Sequence, residues 1–136
     1  MALDQATKLS LCRQAADVRK FAYAPYSKYP VGAALLTSTG KIFTGVNVEN
    51  ISYPNGVCAE RTAVFKAVSE GEKVFTAVAV VTPNGGTPCG ACRQVLAEFS
   101  QDMVVLIGSP KGELIRETTL EALLPESFDP GKFQLE

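Results

Sequence analysis

The sequence has no histidine, no tryptophan and only four cysteines among its 136 residues. Without imidazole, any transition-metal site in the chain has to be built on sulfur or carboxylate. Positive charge is not in excess either: 13 Lys and Arg stand against 14 Asp and Glu, for a formal net charge of -1. A protein that grips a phosphate backbone normally carries a basic face, so nucleic acid is not an expected partner. No apolar run approaches the roughly 18 residues of a membrane-crossing helix. The opening "MALDQATKLS" puts Asp4 and Gln5 where a secretory leader needs apolar residues. The expectation is a cytoplasmic chain with no membrane partner, whose thiols stay reduced and available to a metal. Internal repeats and low-complexity segments are also missing. What remains is 46% hydrophobic and 20% charged, enough apolar material for a core and a length suited to one domain over residues 1–136.

Residues 4–23 place Leu11, Ala15, Val18 and Ala22 on one helical face, with Arg13, Asp17 and Lys20 elsewhere around the wheel. This helix is expected to stop before Pro25, ahead of the aromatic loop "YAPYSKYP". "VGAALLT" and "KIFTGVNVE" flank a turn at Gly40 and read as a hairpin. From Cys58 to Glu70 the pattern turns helical, with Ala59, Ala63, Phe65, Ala67 and Val68 as its apolar members and Gly71 placed to end it. "KVFTAVAVVT" is nearly continuous in apolar character, as a central strand buried on both faces would be. A helix from Cys89 to about Phe99 then precedes strands "MVVLIGS" and "ELIRETT", and "TTLE", Thr118 to Glu121, matches a capping box for a last short helix. The predicted order is αββαβαββα, with five strands in a mixed sheet and both cysteine-bearing helices on one face.

Cys58 opens "CAERTAVF", and Cys89 and Cys92 occupy the first turn of "CGACRQVL". Helix N-termini favour thiolate over thiol, which makes these residues good metal ligands. The two-residue spacing of Cys89 and Cys92 lets both sulfurs share one tetrahedral ion, and the inferred topology brings Cys58 to the same sheet edge. Three soft thiolates favour zinc. The remaining cysteine, Cys12, lies among core-facing positions of the first helix and reads as a small hydrophobe, so the fourth coordination position is expected to be open to water. Glu60, two residues after a ligand, can reach that water without binding the metal, which gives the grouping needed for hydrolysis. Three thiolates and one zinc sum to -1, a balance that weakens bound water as an acid. Arg61 and Arg93 each follow a key residue directly, and the expectation is that both guanidinium groups donate to ligand sulfur and offset that charge.

At "CAERTA" and "PCGACRQ" the sequence resembles the small homotetrameric cytidine deaminases, within the cytidine and deoxycytidylate deaminase superfamily. The match continues through "AYAPYSKYPVGAALL", "GVNVENISYP", "KAVSEG" and "LLPESF". The resemblance implies a three-layer α/β/α sandwich around the mixed five-stranded sheet, with one zinc per subunit held by Cys58, Cys89 and Cys92. It implies a pyrimidine salvage enzyme in which zinc-bound hydroxide attacks C4 of free cytidine or deoxycytidine while Glu60 shuttles the proton. By the same resemblance, Asn47 and Glu49 bind the ribose hydroxyls and the Ala59 N–H meets the pyrimidine O2. Tyr29 stands where relatives usually carry phenylalanine against the base, so its hydroxyl needs a partner or water. Phe128, with Phe133 as a rival, is similar to the aromatic residue sent across a subunit boundary to cover the base, and Tyr53 looks like a ribose-side contact from a neighbour. Active sites would then be shared between subunits of a homotetramer.

Other readings of the same residues are a C-x-x-C redox pair, a non-catalytic zinc-stabilised interaction module, a nucleic-acid editor, and a deaminase of a cytosine-bearing antibiotic such as blasticidin S. Glu60 alone could complement a helix dipole, and Asn47 and Glu49, alternating on one strand face, could simply meet water.

Overall fold

The computed structural model describes residues 3–132, so Phe133 lies outside the described residues. Helix α1 (Gln5–Val18) is capped by Asp4, whose carboxylate accepts from the Thr7 N–H at 2.8 Å. It ends earlier than the sequence pattern suggests and tightens into a 3₁₀ turn at Arg19–Phe21. The cause is a competing pairing: the Tyr23 N–H donates to the Asn47 carbonyl at 3.0 Å and the Glu49 N–H to the Tyr23 carbonyl at 2.8 Å. The backbone has therefore turned extended by Ala22, three residues before the proline.

Strands β1 (Gly32–Thr37) and β2 (Ile42–Val46) form the antiparallel hairpin, with Gly40 in the left-handed region at φ 89°. Helix α2 (Ala59–Ser69) and strand β3 (Phe75–Val81) follow, then α3 (Gly90–Ala97), β4 (Val104–Gly108), β5 (Leu114–Thr119) and the single turn α4 (Leu120–Leu123). The sheet order is β2-β1-β3-β4-β5, antiparallel except for the β3–β4 pair. β3 is the middle strand, which accounts for its unbroken apolar run.

Strand alternation sends two different core layers to the two faces. On one face Ala34, Leu36, Ala77, Ala79, Val81 and Leu106 receive Leu11, Cys12 and Ala15 of α1. On the other, Ala33, Leu35, Val78, Val80, Val105 and Ile107 receive α2 and α3. The architecture is thus a three-layer α/β/α sandwich. Both helical layers sit close to the hairpin. A Cβ on Gly32 would fall 2.0 Å from the Ala15 carbonyl oxygen of α1, and one on Gly45 would fall 2.5 Å from the Ala59 carbonyl oxygen of α2.

Phe65 is 52% exposed, because the 3.6-residue repeat turns it away from the arc of Ala59, Ala63, Val64 and Ala67 that meets the sheet. One local expectation needs correction. The cap of α4 is Thr119, whose hydroxyl accepts from the Ala122 N–H at 3.1 Å, while Thr118 is still paired with Val105 in β5. The C-terminus of α2 is as expected: Gly71 takes φ 90°, its N–H donates to the Val68 carbonyl, and the Glu72 N–H reaches the Ala67 carbonyl.

Candidate metal centre and active site

Two helix starts converge at one place. Cys58 and Cys89 are the N-cap residues of α2 and α3, both with extended backbone, and Cys92 is the third residue of α3. Neither N-cap thiol accepts from the backbone N–H groups of its own helix, so both sulfurs are left to face each other. The three Sγ atoms lie within 4.8 Å of one another, with Cys58 and Cys89 at 3.8 Å. A tetrahedral zinc ion with sulfurs at about 2.3 Å would space them by about 3.8 Å, so this donor set fits zinc. Cys12 is fully buried in the α1 layer, on the opposite side of the sheet, and cannot join them.

The electrostatics favour a thiolate here. Cys58 is lowered to about 5, mainly by the hydrogen bond from the Cys92 thiol and also by Arg61, against the opposing effect of burial. Cys92 is correspondingly raised, first by its hydrogen bond to Cys58 and then by burial. Arg61 Nη2 donates to Cys58 Sγ at 3.4 Å, and that bond holds the guanidinium firmly cationic. Its Nε is buried without a partner, a spare donor beside the sulfurs.

Arg93 does something else. Its Nε donates to the Pro88 carbonyl at 2.7 Å, Nη1 to the Leu123 carbonyl at 2.7 Å and Nη2 to the Thr87 hydroxyl at 2.8 Å. The expectation that it donates to a ligand sulfur is therefore corrected. Its planar fork is filled by oxygens, and it clamps the segment ahead of Cys89 onto the end of α4.

Glu60 sits in the first turn of α2, 4% exposed, and burial raises its carboxyl to about 7, with the negative charge of Cys58 adding to the effect. It opens onto a cavity of about 520 Å³ lined also by Cys58, Cys89, Ala59, Tyr29 and Asn47. Glu49 and Tyr53 border the same cavity, with Tyr53 74% exposed and belonging to its own chain's wall.

Asn47 and Glu49 are not simply solvated. Asn47 Oδ1 accepts from the Val31 N–H at 2.9 Å and its Nδ2 donates to the Tyr29 carbonyl at 2.9 Å, which leaves one amide hydrogen for a ligand. Glu49 Oε1 accepts from the N–H groups of Tyr26 and Ser27 at 2.9 and 3.1 Å, and Oε2 accepts from the Ser27 hydroxyl. The Ser27 bond leads the causes that hold its carboxyl below the usual range. Both residues thus brace the aromatic loop as well as facing the cavity.

Phe128 is not among the lining residues. It is 65% exposed, and its carbonyl accepts from Gln94 Nε2 of α3 at 2.6 Å. Residues that the sequence reading passed over are Ser27, Thr82, Asn84 and Thr87, all at the cavity wall or one bond behind it. A signal existed for one of them. The Tyr29 hydroxyl needed a partner, and it donates to Asn84 Oδ1 at 2.5 Å.

Three thiols on two helix starts, a buried carboxyl beside them and an adjoining cavity define a trithiolate metal centre on an α/β/α sandwich. Residues 5–107 match the family described as the cytidine and deoxycytidylate deaminase zinc-binding region. The chain is 52% identical over 121 residues to a cytidine deaminase of Sporosarcina psychrophila, covering 87% of this chain and 88% of that protein. Its fold is similar to the crystal structure of cytidine deaminase from Burkholderia pseudomallei, at a TM-score of 0.83 and 44% identity, over 93% of this chain and 100% of that one. A blasticidin-S deaminase of Bacillus cereus is 39% identical over 112 residues, covering 75% of this chain and 79% of that protein. The chain belongs to the zinc-binding cytidine and deoxycytidylate deaminase family.

Proposed function

We propose that this chain hydrolyses free cytidine and deoxycytidine to uridine and deoxyuridine, with water consumed and ammonia released. The observation that carries the reading is the convergence of Cys58, Cys89 and Cys92 at one edge of a cavity whose wall includes Cys58, Cys89 and the buried Glu60. Zinc held by the three sulfurs would supply a Lewis acid and a nucleophile generated from water.

The chain supplies the proton handling and the binding. With its carboxyl near 7, Glu60 is poised at neutral pH between accepting a proton and returning it, first to N3 of the pyrimidine and then to the leaving amine. Ala59 is the first residue of α2, so its N–H has no helical partner and is free for the pyrimidine O2. The spare amide hydrogen of Asn47 and the remaining lone pair of Glu49 serve the ribose hydroxyls, and the Tyr29 ring stacks on the base. Arg61 withdraws negative charge from Cys58 and so lets bound water act as an acid.

Phe128, which is absent from its own chain's cavity wall, completes a neighbouring site in a homotetramer, and Tyr53, exposed at the rim of its own cavity, also reaches a neighbour's. Support for assembly comes from large exposed apolar side chains, Phe21, Ile51, Tyr53 and Phe65 among them. Among the described residues no helix is long and apolar enough to cross a membrane. A site built on reduced thiols suits the cytoplasm. The test is zinc per chain measured with the absorbance change as cytidine becomes uridine, with blasticidin S and a cytosine-bearing oligonucleotide run in parallel. Turnover on cytidine that disappears with chelation and returns with zinc is expected. A zinc-loaded protein inactive on cytidine and deoxycytidine refutes the reading, and blasticidin S turnover in that case assigns the antibiotic as substrate.

A further inference from the structure

The aromatic loop and the loop leading to Cys89 meet through one side-chain pair at the cavity wall. Tyr29 is fixed at its main chain: its N–H donates to Ser27 Oγ at 3.1 Å and its carbonyl accepts from Asn47 Nδ2 at 2.9 Å. Its ring lines the cavity and its hydroxyl donates to Asn84 Oδ1 at 2.5 Å. Asn84 lies in a turn closed by Thr82, whose Oγ1 accepts from the Gly86 N–H at 2.7 Å and donates to the same Asn84 oxygen at 3.4 Å. A Cβ on Gly86 would stand 3.0 Å from the Tyr29 hydroxyl oxygen, so this glycine leaves room that a tyrosine needs and a phenylalanine does not. The same segment ends at Cys89, the most exposed of the three clustered thiols.

We infer that Tyr29 and Asn84 form a latch, in which Tyr29 acts as a positioning residue for the 82–88 loop and hence for the Cys89 sulfur. Metal retention and nucleoside affinity are thereby tied to one hydroxyl group, because the ring that faces the ligand also holds the loop that presents the sulfur. The inference rests on the zinc deaminase reading above. A phenylalanine at this position would keep the stacking surface and lose the tether. The loop would then keep its internal Thr82–Gly86 bond and, at its far end, the Arg93 bonds to Thr87 and Pro88, but no tie to the aromatic loop through this hydroxyl.

The test uses the zinc-loaded full chain and its Tyr29→Phe, Asn84→Ala and doubly substituted forms. The readouts are the rate at which a chromogenic chelator removes zinc, and KM and kcat on cytidine. A hydrogen bond of ordinary net strength corresponds to roughly threefold to tenfold in an equilibrium or rate. Each single variant is expected to lose zinc faster and to raise KM by about that factor, with kcat changed by less than about twofold. The double variant should go no further than either single one. Gly86→Ala should speed zinc loss in the wild-type background, where it displaces the hydroxyl, and have no such effect beside Tyr29→Phe. Zinc loss at the wild-type rate in both single variants, or a double variant equal to the product of the two, overturns the latch even if the melting temperature falls. A wild-type protein that purifies without zinc and does not turn over cytidine brings down the deaminase reading instead.

Discussion

Replacing Gly45 by alanine puts one methyl group into the contact between β2 and α2. The new Cβ would lie 2.5 Å from the Ala59 carbonyl oxygen, 2.6 Å from the Ala63 nitrogen and 3.0 Å from the Thr62 Cβ. Two of these atoms are backbone and cannot rotate aside, so α2 has to back away from the sheet by on the order of 1 Å to restore ordinary contact. Overpacking of this kind costs about 1–3 kcal/mol, and the doubled backbone contact places Gly45→Ala near the upper end. The lower entropy of the unfolded chain offsets only about 0.4–1 kcal/mol. For a domain of this size the net loss corresponds to a fall in melting temperature of roughly 5–12 °C. The retreat also carries Cys58, at the start of α2, away from Cys89 and Cys92 on α3, so zinc affinity should fall together with stability. The assay is thermal unfolding by circular dichroism at fixed protein and zinc concentrations, with zinc per chain measured on the same samples. Gly90→Ala is the control, since a Cβ there meets nothing within 4 Å, and it should melt no lower than wild type. A Gly45→Ala protein with a wild-type melting temperature and full zinc content would refute the reasoning.

Four further outcomes are expected. Glu60→Gln should keep its fold and its zinc but turn over cytidine at least roughly 10²-fold more slowly, the low end for a lost acid–base group. In wild type the carboxyl near 7 is protonated at acid pH and cannot take a proton from water, so kcat/KM should fall as pH drops below about 7; a plateau unchanged down to pH 5 would remove Glu60 from that role. Cys89→Ala should lose zinc and also stability, because zinc-binding free energy, on the order of 10 kcal/mol in peptide systems, is coupled to folding; unchanged zinc by elemental analysis would count against it as a ligand. Arg93→Lys should lower the urea midpoint, since an ammonium cannot reproduce the bonds to Thr87, Pro88 and Leu123 together, yet leave the pH dependence of kcat/KM unmoved; a shifted profile would restore an electrostatic role at the sulfurs.

The parts of this molecule legible in sequence are those fixed by local pattern. Cys58 and Glu60 in one helix start, and Cys89 and Cys92 in another, need only the strand–helix–strand order to be brought together, and the runs that specify that order are strongly apolar. Contacts made across long stretches of chain were not legible. Arg61 and Arg93 look equivalent in sequence, each directly after a motif residue, but only Arg61 reaches back to a sulfur. Arg93 is drawn off by the Leu123 carbonyl, supplied by a helix 30 residues further on. Asn47 and Glu49 show their alternation on β2 and beyond, but not that their oxygens are already bonded to the backbone of residues 26–31. Phe65 follows from a period that leaves a large apolar residue outside, which composition alone does not reveal. The one-residue shift of the last cap, from Thr118 to Thr119, follows from pairing in β5, which outlasts the local capping signal by one position.

The seam between β1 and β3 works as a ruler for the sulfur cluster. Strands β1 and β2 support the helix that starts at Cys58, while the helix that starts at Cys89 packs Leu96 and Ala97 into the core layer that holds Val78, Val80, Val105 and Ile107 of β3 and β4, and the two halves are joined where Leu35 faces Val78 and Leu36 faces Ala77. Sliding that seam by a single step would displace one half by about 3.4 Å and invert which side chains each face presents. The inverted faces would set Ala34 and Leu36 against α2 in place of Ala33 and Leu35, so such a misalignment is rejected by the packing long before any cation has to test the spacing of its three sulfurs.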